Sequence, residues 1–157
     1  MLGAALISAC ADAPLVTTSD GGKTTTTWSR TELMDSPRCA LRVCVLDEPA
    51  GGFKDGGRDE ARRALQENVG SVRFGADEGR GRACDVALSF KSAAAPDSAD
   101  VSSAFTGEAL TRIDAPLAET GKLLCRLFAP ETALGQRVAA WRADWVKSNS
   151  SVPASAR

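Results

Sequence analysis

The feature that most constrains this chain is a short run from Ala40 to Leu46, ALRVCVL, set between Pro37 and the polar, glycine-rich stretch Asp47 to Gly52. Apolar residues on both parities of so short a segment mark a strand buried on both faces, so the remainder of the chain must cover it. The turn GGFKDGG leads from it into RDEARRALQENVG, where Ala61, Ala64, Leu65 and Val69 share one face. Acids at the start and Gly70 at the end complete the pattern of an amphipathic helix.

The same reading places a second strand over residues 84–90, CDVALSF, with Val86, Leu88 and Phe90 alternating against Asp85, Ala87 and Ser89. KSAAAPDSADVSS reads as a loop, and residues 104–113, AFTGEALTRI, as a third strand with Phe105, Ala109 and Ile113 inward. Leu117 to Phe128 forms a helix that ends before Pro130, after which Leu134, Val138, Trp141 and Trp145 repeat with helical spacing. Such a stripe is first a core signal. The order β-α-β-β-α-α predicts a small α/β fold, a two-layer sandwich with a mixed sheet of three to four strands and helices on one face.

Residue types that are missing exclude whole classes of chemistry. The 157 residues include no His and no Tyr, which removes Ser-His-Asp triads, Cys-His pairs and His-ligated zinc from this chain. Lys and Arg (19) nearly balance Asp and Glu (20), so the net charge of −1 gives no electrostatic steering toward nucleic acid. No apolar run approaches the roughly 20 residues that span a bilayer as a helix.

Ile7-Ser8-Ala9-Cys10 follows an apolar stub from Leu2 to Leu6. These residues resemble the lipobox of bacterial lipoproteins, in which an aliphatic residue and two small ones precede a cysteine that is lipidated and becomes the mature N-terminus. Only nine residues precede Cys10 and none is basic, so residues 1–9 read as a truncated signal-peptide-like segment. The Ala, Thr, Ser, Asp and Gly of the stretch after Cys10 suit a flexible leader over 10–37, although Thr24 to Thr27 also suit an edge strand. A single α/β domain then covers 38–147 and a disordered tail 148–157. The resemblance implies a membrane partner through the lipid anchor. Ala11 in the second mature position implies the outer membrane, facing the periplasm.

Other motifs admit a chemical and a plain structural role. VCVLDEPAGG, residues 43–52, resembles the Walker B segment of ABC-type ATPases, and Gly22-Lys23-Thr24 supplies a GKT. The P-loop glycine position is Thr17, however, and four threonines stand where its helix should begin. No nucleotide or other cofactor is therefore expected. Asp47 and Glu48, at the end of a strand, and Arg80 and Arg82, in a glycine-rich loop, are the candidate ligand-binding residues. They support the alternative of a small α/β enzyme or ligand-binding domain. The favoured reading is a non-catalytic envelope lipoprotein that binds an envelope protein or glycan.

Four cysteines remain: Cys39, Cys44, Cys84 and Cys125. Their spacing matches zinc sites poorly, and disulfides fit an exported chain. Cys39 and Cys44 on one extended segment would lie about 16 Å apart, beyond the roughly 7 Å reach of a bridge. Of the two connectivities left, Cys39 with Cys84 and Cys44 with Cys125 is the expected one, from parallel strands with level starts and a helix above Cys44.

Overall fold

The computed structural model describes residues 14–47, 57–75, 84–90 and 98–150. Among these residues the strands are β1 (Leu15–Ser19), β2 (Thr24–Trp28), β3 (Arg42–Asp47), β4 (Ser71–Phe74), β5 (Val86–Phe90), β6 (Ser98–Ser103) and β7 (Ala109–Asp114). The helices are α1 (Arg30–Leu33), α2 (Gly57–Gln66), α3 (Leu117–Leu127) and α4 (Ala133–Ser150). The chain is mixed α/β, and its strands form one seven-stranded sheet in the order β2-β1-β7-β6-β5-β3-β4.

β3 lies between β4 and β5 and runs parallel to both, while the other neighbours are antiparallel. Its alternation explains the apolar run. Val43 and Val45 enter the main core with Val72, Val86 and Leu88 and with the helix residues Leu65, Leu123 and Leu124. Cys44, on the other parity, joins a separate cluster with Cys84, Ala104 and Leu46. Burying each of these aliphatic side chains contributes about 1.5 to 3 kcal/mol, so the strand is held from both sides.

All four helices contribute side chains to the main core, through Leu33, Leu65, Leu123, Leu124 and Val138. α2 buries Ala61 and Leu65 as its spacing dictates, and its Arg58 and Arg62 lie over the Phe74 ring at 5.5 and 5.2 Å, covering part of edge strand β4. α1 is one turn long and depends on its neighbours. Ser29 accepts a hydrogen bond from the Glu32 N–H, and Arg126 of α3 donates to the Glu32 carbonyl and to Ser36.

The sheet has seven strands where three to four were expected, and each unforeseen strand has a physical reason. Residues of the supposed leader form β1, β2 and α1: β1 pairs with β7, Leu15 and Thr17 are buried, and Leu33 is fully buried. Threonine hydroxyls hide this role in composition, because Thr17 donates to the Thr26 carbonyl and Thr111 to the Thr18 carbonyl. β6 came from a segment read as a loop, where its alternation of Ala99 and Val101 against polar neighbours is short. β4 is only four residues long. The strand expected over 104–113 begins at Ala109, since residues 104–108 turn through Gly107 at φ 78. A bulge at Val101/Ser102 then shifts the phase, so Leu110, Thr111 and Ile113 are buried while Ala109 is exposed. Nor does order stop at 147, for α4 continues to Ser150; the rest of the expected tail lies outside the described residues.

The four cysteines are paired, but as Cys39–Cys125 and Cys44–Cys84, each with Cα atoms 5.7 Å apart. The expected connectivity fails because Val43 and Val45 occupy the helix-facing parity of β3, which turns Cys44 away from α3. Cys84 instead meets Cys44 from the bend at Asp85. Cys39 precedes β3, donates its N–H to the Asn68 carbonyl after α2, and so lies beside Cys125, whose sulfur is 3.4 Å from the same carbonyl. With partners separated by 86 and 40 positions in sequence, the chain-entropy model assigns each bridge about 4 to 5 kcal/mol.

Because Leu33 is fully buried in a segment whose composition resembles a tether, Leu33→Ala should destabilise the domain by about 3 kcal/mol in urea unfolding. A loss below about 0.5 kcal/mol would show that α1 does not belong to the core.

Candidate functional site

The bend before β5 places Asp85 under α4, at the end of the sheet where β3 and β5 begin. Its side chain is fully buried, yet both oxygens are occupied. Arg42 donates its backbone N–H to Oδ2 at 2.9 Å and its Nη2 to Oδ1 at 2.9 Å. Arg142 of α4 approaches with Nε 3.0 Å from Oδ1 and Nη2 2.5 Å from Oδ2. The Asp85 backbone is equally engaged: its N–H donates to the Arg42 carbonyl and its carbonyl accepts from Ala104.

Burial alone would raise the Asp85 pKa. Hydrogen bonds from the Arg42 and Arg142 side chains, then from the Arg42 backbone N–H, together with the charge of Arg142, outweigh that penalty and hold the carboxyl below its ordinary value. A carboxylate held ionised by two guanidiniums and sealed from solvent is a poor proton acceptor, so this group is a clasp between β3, β5 and α4 rather than a catalytic base.

Beside the clasp runs a cleft with two compartments that share Ala40 and Arg142. The larger, about 400 Å³, is walled by Pro37, Leu41, Phe128, Pro130 and Val138 together with the Cys39–Cys125 bridge, and carries Arg38 and Glu131. The smaller, about 180 Å³, is lined by Arg42, Trp145 and Val146. α4 supplies one side of both. Its first turn is fixed by Thr132, whose hydroxyl accepts from the Gly135 N–H at 3.0 Å and donates to the Leu127 and Ala129 carbonyls. Gly135 is required there, because a Cβ would collide with the Ala129 carbonyl.

Of the ligand-binding candidates read from the sequence, Asp47, Glu48, Arg80 and Arg82, only Asp47 is among the described residues. Asp47 ends β3, at the far end of the strand from the cleft. Cys10, Glu48, Arg80 and Arg82 lie outside the described residues. Of the Trp stripe, Val138 is buried and Leu134 and Trp141 pack on the core, with Arg137 stacked 5.1 Å over the Trp141 ring. Trp145 leaves the core and lines the cleft. Two signals for the clasp were present in the sequence: an acid inside the apolar run CDVALSF, and Arg142 four residues after Val138 on the same helix face. Simple alternation had assigned Asp85 to a polar strand face.

Among the described residues there is no cluster of three or more His, Cys, Asp or Glu that could hold a metal, and no helix is long and apolar enough to cross a membrane. No family model matches this chain, and neither the curated proteins nor the solved structures offer a match to it.

The clasp has a pH signature. A carboxyl whose folded-state pKa is depressed contributes stability above its unfolded pKa of about 3.9, and that contribution disappears as pH falls through the folded value. Asp85→Asn should therefore cost about 3 kcal/mol at pH 7, leaving two guanidiniums facing a neutral amide. The gap from wild type should narrow steadily below about pH 4 in denaturant titrations. A gap that stays constant down to about pH 2 would show that the charge of Asp85 contributes nothing.

Proposed function

We propose that the chain is a non-catalytic lipoprotein of the cell envelope, acylated at Cys10, held at the outer membrane facing the periplasm, and using its α/β domain to bind another envelope component. The observation that carries this reading is the pairing of Cys39–Cys125 and Cys44–Cys84, because disulfides persist in oxidising compartments. The lipobox-like Ile7-Ser8-Ala9-Cys10 supplies the anchor. The architecture suits a display role. We read it as a two-layer sandwich, with helices on one sheet face and polar residues such as Ser98, Arg112 and Asp114 on the other.

A binding role fits the chemistry better than a catalytic one. The chain contains no imidazole, and the one deeply buried carboxylate of the described residues, Asp85, is consumed by two arginines. The cleft beside Arg142 has the size and mostly apolar lining of a ligand site. It is the place we assign to the partner.

Expression from the native gene region, followed by fractionation and intact-mass measurement, tests the anchor. Wild type should sediment with membranes, begin at Cys10 and carry acyl mass, while Cys10→Ala should accumulate as an unacylated precursor. Unacylated wild-type protein, or free thiols at Cys39, Cys44, Cys84 and Cys125 after native isolation, would overturn the reading.

A further inference from the structure

The two disulfides lie in opposite kinds of place. Cys44 and Cys84 are 4% and 0% exposed and pack with Ala104. Cys44 is on β3, flanked by β4 and β5, and Cys84 immediately precedes Asp85, whose backbone N–H and carboxylate both bind Arg42. A reagent reaches that bond only by parting β3 from the start of β5, against the Asp85 clasp. Cys39–Cys125 instead forms part of the wall of the larger compartment. Cys39 is half-buried, and its neighbours Arg38 and Ala40 are exposed and line the same cavity, whereas Cys125 is 5% exposed and belongs to the main core. A solute in the cleft therefore meets the bond from its Cys39 end.

The segment that carries Cys39 does not rely on the bond alone. The Cys39 N–H donates to the Asn68 carbonyl at 2.7 Å, Arg126 of α3 donates to Ser36 at 3.0 Å, and Leu33 and Leu41 are buried before and after it. Opening this bridge leaves those ties in place and needs no prior unfolding, while opening Cys44–Cys84 does. The partner sulfur is also provided for: Cys125 Sγ lies 3.4 Å from the Asn68 carbonyl, which can accept from a thiol S–H.

We infer that Cys39–Cys125 is a site of thiol–disulfide exchange, at which a small thiol entering the larger compartment adds to Cys39. The thiolate sulfur of the small molecule bonds to Cys39 Sγ as the protein S–S bond breaks, and the electron pair of that bond leaves on Cys125 Sγ, which takes a proton from solvent. A second small thiol then attacks the added sulfur and releases Cys39 with a small-molecule disulfide. Two thiols lose one electron each, and the bridge gains both. A compartment of about 400 Å³ falls in the range of small-ligand sites, so a thiol of short-peptide size enters it and the adduct occupies the cleft. This exchange depends neither on the lipid anchor nor on the partner assigned to the cleft.

The test uses the full oxidised chain carrying Cys10→Ala and reduced glutathione as the small thiol, with samples acid-quenched, alkylated and mapped by peptide mass. Glutathione should appear on Cys39 with Cys125 alkylated, and Cys39–Cys125 should open at least about a hundredfold faster than Cys44–Cys84, because a buried bond exchanges only in the fraction of molecules that have opened. Low concentrations of urea should leave the Cys39–Cys125 rate unchanged and raise the Cys44–Cys84 rate, with the far-ultraviolet circular dichroism native throughout the first exchange. Equal rates at the two bridges, faster opening of Cys44–Cys84, glutathione on Cys125 instead of Cys39, or a Cys39–Cys125 rate that climbs with urea in parallel with the other overturns the inference. So does the absence of any exchange at Cys39–Cys125 in the folded protein.

Discussion

The burial of one carboxylate organises this molecule. Asp85 has no exposed side-chain surface, and an ionised group so placed is tolerated only where partners replace the water it has lost. Those partners come from two different elements, Arg42 at the start of β3 and Arg142 in the middle of α4. The helix α4 is thereby tied to the end of the sheet where β3 and β5 begin. Arg142 is held between the two compartments of the cleft by Asp85 beneath it, and Asp85 is tolerated in burial because both arginines pair with it.

Much of the frame was legible because it is governed by patterns of apolar burial. The two-sided burial of β3, the apolar face of α2, and the core positions of β5 all follow from periodicities in the chain. What escaped is held by other forces. β1 and β2 are threonine-rich strands whose stability comes from pairing with β7 and from hydroxyl contacts, and a composition that offers little apolar surface looks the same in a tether. The phase of β7 breaks at a bulge, where Thr111 and Ala109 pair with the adjacent residues Val101 and Ser102 and Leu110 is the extra residue, so simple alternation over 104–113 does not follow it.

The site was less legible than the frame for a related reason. Strand-end logic directs attention to the carboxyl ends of parallel strands and hence to Asp47, whereas the cleft lies where β3 and β5 begin. It is assembled from residues distant in sequence: the segment around Ala40, the α3 to α4 connection, and one stripe of α4. Arg142 and Trp145 carried a local hint, since an Arg followed by a Trp marks where the stripe that packs Val138 and Trp141 on the core leaves it.

The disulfides complete the argument by fixing the wall of that cleft. Within the six residues from Cys39 to Cys44 the chain is bonded to α3 through Cys125, to the start of β5 through Cys84, and to Asp85 through Arg42. A wall held at three points loses little freedom when a ligand binds, which lowers the entropic cost of recognition. It also links the shape of the cleft to redox state, because the Cys39–Cys125 bridge lines the cleft itself and its tie exists only where thiols are oxidised. Reduction would remove the covalent tie between Cys39 and α3, leaving the Arg126–Ser36 hydrogen bond and the burial of Leu41 beside Leu123 and Leu124 to hold the segment, while Asp85 still held Arg42 and Arg142 together.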